Sequence, residues 1–296
     1  MAKAKRVSNA VVRKQVRAQV RVMRTRTDAV RDEDADGVHD LRVASRRLRA
    51  ILAEHKDLFD NRAVRKVRKR ARRVTRALGR PRELDVSIEV ALRLRNGLHG
   101  PARYAASHLL RQLRTQRDGE SSAIAKTADR VDSPKFRKAV KTLLNSGPKP
   151  GKLDFGRAAR SLRKRYRAVV AAHVAWQQGG TDESLHALRI EFKKLRYTCE
   201  IYRGINGGHL DNFIASLKEV QESIGEWHDL CVLRDYASEA APSAPAKATE
   251  GMPLLAEAIE GRRQTLLLEF AAHVEPFFGQ DRQSEIEAFF SGLKGI

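Results

Sequence analysis

The stretch VHDLRVASRRLRA, residues 38–50, holds five basic or histidine side chains in thirteen positions: His39, Arg42, Arg46, Arg47 and Arg49. At about 100° per residue on a helix, His39, Arg42, Arg46 and Arg49 share one face, and Leu41, Ala44, Leu48 and Ile51 share the opposite one. One side is suited to a core while the other collects like charge. Neighbouring like charges on a helix repel by roughly 0.2–0.5 kcal/mol per pair, so an anionic partner for that face is the first thing to look for.

The stretch is written twice. LHALRIEFKKLRY (185–197) aligns with it at an offset of 147, setting His186, Arg189, Lys193, Lys194 and Arg196 opposite His39, Arg42, Arg46, Arg47 and Arg49. LGRPRELDV (78–86) aligns with IGEWHDLCV (224–232) at an offset of 146. Ahead of them, Val64, Val67, Ala71, Val74 and Leu78 keep register with Leu210, Phe213, Leu217, Val220 and Ile224. VRKQVRAQV (12–20) aligns with LRKRYRAVV (162–170) at an offset of 150. Three blocks in one order at nearly constant spacing read as a tandem duplication. SGPKPGKLDF (146–155) then serves as the linker between residues 1–148 and 149–296.

Apolar residues recur at i, i+3, i+7, i+10 and i+14, and no segment sustains period-2 alternation, so each half reads as helical throughout. Breaks are expected at 32–37, Gly79 to Pro81, Gly97 to Pro101 and Ser133-Pro134, then at Gly179-Gly180, Gly207-Gly208 and 241–253. About six helices per half follow. The predicted fold is all-α: two pseudo-symmetric antiparallel helical bundles, one per repeat. Duplication of this kind can bring two copies of one basic face to opposite sides of a shared groove.

Composition narrows the partner. The chain of 296 residues has 58 Lys and Arg against 36 Asp and Glu, a net charge of +22, with 6% aromatic residues. A polyanion is implied. Residues 1–148 hold 38 basic and 16 acidic side chains, whereas residues 149–296 hold 20 of each. Half of the latter basic residues lie between Arg157 and Arg196. Elsewhere the second copy has exchanged charge: Arg65 aligns with Asp211, Arg68 with Ile214 and Arg76 with Glu222. Two cysteines, Cys199 and Cys231, cannot make a disulfide framework and fit a reducing cytosol. No run approaches the ~20 apolar residues of a membrane span, and the basic N-terminus lacks the apolar core of a signal peptide.

A second basic stripe, Arg13, Arg17, Arg21 and Arg24, runs opposite Val12, Val16, Val20 and Met23, and its counterpart holds Arg160, Arg163, Lys164 and Arg167. Any one of these arginines reads as solvated surface; the set, kept in a half with no net charge, reads as a binding face. His39 and His186 stand among cations, which disfavours a divalent metal. No acidic magnesium site or Gly-rich phosphate loop supports a phosphoryl-accepting role. A histidine among arginines suits hydrogen bonding to a phosphate.

The H-x-x-R-(V/I)-x-x-(R/K)-(R/K)-L-R blocks at 39–49 and 186–196, with the blocks at 79–86 and 225–232, resemble the CHAD family, the conserved-histidine α-helical domain. The resemblance spans essentially the whole chain. It implies two pseudo-symmetric helical bundles, inorganic polyphosphate held by basic residues in a central groove, and residence at polyphosphate granules. Some members carry an attached triphosphate-tunnel catalytic domain; no sequence remains for one here, so a stand-alone, non-catalytic module without a cofactor is expected. By position, phosphate contacts fall to His39, Arg42, Arg46, Arg49, His186, Arg189, Lys193 and Arg196, followed by Arg13, Arg17, Arg163 and Arg167. His228, near the second copy's turn, is an open candidate.

Polyphosphate carries one charge per phosphate and no bases to stack, which matches many arginines and few aromatics. The competing reading is a nonspecific nucleic-acid binder using helix 62–79, with Arg65, Arg68, Lys69, Arg72, Arg73 and Arg76 on duplex phosphates. Against it stand the absence of a helix-turn-helix pair, RNP aromatics and zinc spacing. A metal-dependent phosphohydrolase would need clustered carboxylates, and Glu83, Asp85 and Glu89 read better as balance for neighbouring arginines. Membrane binding ranks last, because no helix pairs a large exposed apolar face with its charge.

Overall fold

The structure, a computed structural model, describes residues 9–146, 155–203 and 210–292. The expected linker (apart from Ser146 and Phe155) and the Gly207-Gly208 break lie outside the described residues. Among the described residues there is no strand. In the first half the helices are α1 (Asn9–Thr25), α2 (Thr27–Arg31), α3 (Ala35–Glu54), α4 (Asn61–Ala77), α5 (Gly79–Asn96), α6 (Gly100–Asp118), α7 (Ser121–Asp132) and α8 (Pro134–Asn145). In the second they are α9 (Phe155–Gly179), α10 (Asp182–Tyr202), α11 (Asp211–Ala240), α12 (Ala246–Thr249), α13 (Met252–Val274) and α14 (Gln280–Gly292). The first half is cut more finely than the even six per half that the breaks suggested.

Local chemistry sets the starts of the two histidine helices. Asp34 accepts from Gly37 N at 2.7 Å at the head of α3, and Thr181 accepts from Ser184 N at 3.2 Å at the head of α10. Both are side-chain caps on otherwise orphaned N–H groups. Helix phase follows the sequence pattern: Leu41, Ala44, Leu48 and Ile51 are all buried. So are Leu188, Phe192 and Leu195 of α10.

The two halves differ at the block around Gly79. The chain leaves α4 at Leu78 (φ −91°, ψ 12°) and restarts as α5, with Pro81 in the first turn, where its missing N–H costs nothing. The aligned Ile224-Gly225 run stays inside the 30-residue α11, where Trp227 takes the proline's place.

That break redirects the chain, and it corrects the division of the bundles at residue 148. One apolar core is built from α1 to α4, α7 and α8, with Ile201 added from α10. The other holds α9 to α11, α13 and α14 together with Leu84, Val90, Ala91, Ala105, Ala106, Leu109, Leu110 and Leu113 of α5 and α6. The first half thus lends two helices to the second core. α6 packs on α5 and α13, and a methyl group at Gly251 would collide with the Pro101 carbonyl of α6, so glycine there permits backbone contact between the halves.

Candidate functional site

α3 and α10, the two copies of the opening stretch, meet each other, and α5 and α11 pack beside them. Between the four lies a cavity of about 540 Å³, within the ~300–1,000 Å³ typical of ligand clefts. Its lining comes from aligned positions of the two halves: His39 with His186, Arg42 with Arg189, Arg46 with Lys193, Arg82 with His228, Glu83 with Asp229 and Val86 with Val232. Arg47, Arg196 and Tyr197 complete the charged and aromatic wall. Seven arginine or lysine side chains face two carboxylates, with three histidines among them, so the site carries an excess of positive charge.

Several cations are already committed. Arg196 donates to Gln221 Oε1 at 2.7 Å and Glu200 Oε1 at 2.8 Å and lies over the Tyr197 ring. Arg47 reaches the same Glu200 at 3.2 Å from the other half. Others are not. The Nε atoms of Arg42 and Arg189, at aligned positions of the sequence, are buried with no hydrogen-bond partner. The carboxylate nearest Arg189, Asp229, stands 4.0 Å away. Arg42, Arg46 and Lys193 have no carboxylate within 4.0 Å among the described residues, and Arg46 makes only a long bond to Tyr197 Oη at 3.4 Å. A buried donor left unpaired costs about 1–3 kcal/mol, and the like charge gathered around this cavity is an electrostatic cost that an anion would relieve.

The electrostatics agree. Burial, then Arg46, pulls Arg42 down to about 10. Burial, then Arg189 and Arg46, pulls Lys193 down to about 7. His186 and His228 lie with ring centroids 4.7 Å apart. Burial and the adjoining Arg189 hold both below the ordinary histidine value, His228 at about 3. Burial and Arg82 do the same to His39. Asp229 is raised by burial, against the pull of Arg189 and Lys193. Burial in the cavity disfavours positive charge, and an anion alongside would favour it. Among the described residues no three His, Cys, Asp or Glu side chains converge as metal ligands, and no helix is long and apolar enough to cross a membrane.

Of the twelve contact residues expected from sequence, seven line the cavity and five do not. Arg13 donates to the Leu144 and Ser146 carbonyls at the end of α8 and lies over Phe59. Arg17 borders a separate hollow with Arg21 and Arg24. Arg163 reaches Ser291 at 3.4 Å, and Arg167 pairs with Glu287 through two bonds of 2.8 Å. α1 packs on α3, and α9 on α10 and α14, so both stripes point away from α5 and α11. Arg49 sits beside α4, among Arg68, Arg72 and Arg76. Sequence reasoning missed Arg47, Arg82, Glu83, Tyr197 and Asp229 as wall residues, although the aligned blocks 78–86 and 224–232 already paired Arg82 with His228 and Glu83 with Asp229. His228, an open candidate from the sequence, lines the cavity.

Three comparisons bear on identity. The CHAD domain family model matches residues 14–238. Two uncharacterized Mycobacterium tuberculosis proteins, from strains CDC 1551 and H37Rv, are each 28% identical to this chain over 236 residues, 73% of it. The aligned region is 42% of their own length, so this chain spans less than half of those relatives. The structure resembles PptA from Streptomyces chartreusis with a TM-score of 0.68 at 20% identity, over 90% of this chain and 99% of that one. It resembles the CHAD domain of the plant Ricinus communis with a TM-score of 0.62 at 19% identity, over 100% and 94%.

Proposed function

The chain belongs to the CHAD domain family, which is associated with polyphosphate binding, and from this footing we propose that it binds inorganic polyphosphate without transforming it. The binding site in this reading is the cavity between α3, α5, α10 and α11, and residence at polyphosphate granules follows from the same reading. The observation that carries it is the pair Arg42 and Arg189, which line one cavity from aligned positions of the sequence with no carboxylate closer than 4.0 Å. Lys193 and Arg46 add charge beside them, and the three histidines are neutral donors or acceptors until an anion raises their pKa values.

A flexible chain with a phosphate at each repeat suits this wall better than a duplex does. The cavity is concave and walled by four helices, whereas rigid duplex phosphates follow a convex surface. The test is competition at near-physiological salt: labelled long-chain polyphosphate against unlabelled polyphosphate or duplex DNA at equal total phosphate. Polyphosphate should displace the label at far lower concentration. Equal displacement by DNA would make the cavity a general polyanion surface and end the proposal.

A further inference from the structure

α4 presents charge that the cavity does not use. Its seventeen residues NRAVRKVRKRARRVTRA hold nine arginines and lysines and no acid. Ala63, Val64, Val67, Ala71 and Val74 are buried in the first core, which holds the helix in place despite the repulsion along its outer side. Among the described residues none of the nine lies within 4.0 Å of a carboxylate. The Nε atoms of Arg68 and Arg70 are moreover buried and without hydrogen-bond partners.

This surface is continuous with the cavity at two points. Gly79, one residue beyond Leu78 at the end of α4, lines the cavity. On α3, Arg49 lies three residues beyond the wall residue Arg46. Burial, and then Arg72, Arg68, Arg46 and Arg76, lowers its pKa, so it bridges the cavity charge and the α4 charge. The second half offers no such exit. Where α4 has Arg65, Arg68, Lys69, Arg73 and Arg76, the aligned α11 positions hold Asp211, Ile214, Ala215, Glu219 and Glu222, and Arg72 alone keeps a cationic match in Lys218. Arg196, the counterpart of Arg49, is tied to Gln221 and Glu200.

We propose that Arg49 with Arg68, Arg72 and Arg76 of α4 forms a second contact surface for polyphosphate, which holds the stretch of a long chain that leaves the cavity on the first-half side only. The inference rests on the polyphosphate reading of the cavity. It makes the protein selective for chains too long for the cavity, with the overhang held on one side.

The test compares tripolyphosphate with long-chain polyphosphate, binding each to the wild type, to an Arg68→Gln/Arg72→Gln/Arg76→Gln variant and to an Arg42→Gln/Arg189→Gln variant. The triple variant should keep its tripolyphosphate affinity and lose about tenfold or more for the long chain, with a shallower salt dependence because fewer counterions are released. The double variant should lose affinity for both ligands. A double variant that binds both like the wild type would refute the cavity reading itself. A weakened double variant beside a triple variant with unchanged long-chain affinity and salt slope would refute the second surface alone. A triple variant that loses duplex DNA binding but keeps long-chain polyphosphate affinity would assign α4 to nucleic acid and equally overturn the inference.

Discussion

At matched positions of the cavity wall the first half uses Arg46 and Arg82, and the second half uses Lys193 and His228. Arginine is the fixed-charge cation among side chains, whereas burial and neighbouring cations lower Lys193 to about 7 and His228 to about 3, so in the polyphosphate reading these two would take up protons beside a bound phosphate. Outside the cavity the contrast reverses in kind. The first half keeps a bare cationic helix in α4, whereas α11 and its surroundings have become mixed and ion-paired, as in Arg203 with Asp211 and Arg196 with Glu200. The halves therefore share wall positions and divide the work of charge: one side fixed and extended, the other adjustable and confined.

The largest effect tests whether the helix phase is the same on both sides. Leu48 of α3 and Leu195 of α10 are aligned and fully buried, one in each core. Leu48→Glu and Leu195→Glu should each cost roughly 4 kcal/mol or more by burying an unpaired charge, seen as a collapse of the melting temperature. A variant that melts like the wild type would break the comparison at its root.

A smaller effect lies where the two copies touch. His55 aligns with Tyr202 at the 147 offset, and their rings meet edge to face at 5.5 Å. Both ring nitrogens of His55 are buried without partners, and burial holds its pKa at about 4. The folded state therefore binds this proton less readily than the unfolded one. The stability is fully present above the unfolded pKa of about 6.5 and is lost as the pH falls from there towards 4, by about 2 kcal/mol between pH 7 and pH 5. Denaturant titrations at those two pH values should show the loss, and His55→Phe should reduce it. An acid loss of the same size in the variant would place the titration elsewhere.

The smallest effect sharpens the division between fixed and adjustable charge. Bound phosphate raises the pKa of Lys193, so binding takes up a proton, and affinity should fall roughly fivefold from pH 7 to pH 8 through this residue alone. His39 and His186, held below their ordinary value by burial and neighbouring cations, should add a further gain towards pH 6. Lys193→Arg should flatten the profile above pH 7 in equilibrium binding across pH 6 to 9. The equivalent Arg46→Lys should steepen it. If Lys193→Arg leaves the slope unchanged, the second half is not the adjustable side.

How much of this could be read from the sequence depends on what periodicity encodes. It encodes which side of a helix is apolar, and so the phase of α3 and α10 and most of the wall could be read. It does not encode which helix comes to lie against the polar side. That is why Arg13, Arg17, Arg163 and Arg167, correctly phased on α1 and α9, face α8, α14 and open surface instead of the cavity. Arg49 sits at the edge of its stripe, where about 100° per residue leaves it turned towards α4. The passage of α5 and α6 into the second core was hidden for the same reason, since an apolar stripe fits either core. The sequence alignment of the two halves already held three of the missing wall residues, because Arg82 shares a column with His228 and Glu83 with Asp229.

The most direct measurement of the central claim is long-chain polyphosphate affinity at fixed pH and salt for two double variants. Arg42→Gln/Arg189→Gln removes the matched cavity donors, and Arg17→Gln/Arg167→Gln removes the same charge from outside it. With charge-assisted bonds worth about 1.5–3 kcal/mol each, the cavity pair should weaken binding by roughly a hundredfold or more, and the outer pair by less than about threefold. Equal losses from the two pairs would mean that net charge, and not the cavity shared by the two halves, holds the ligand.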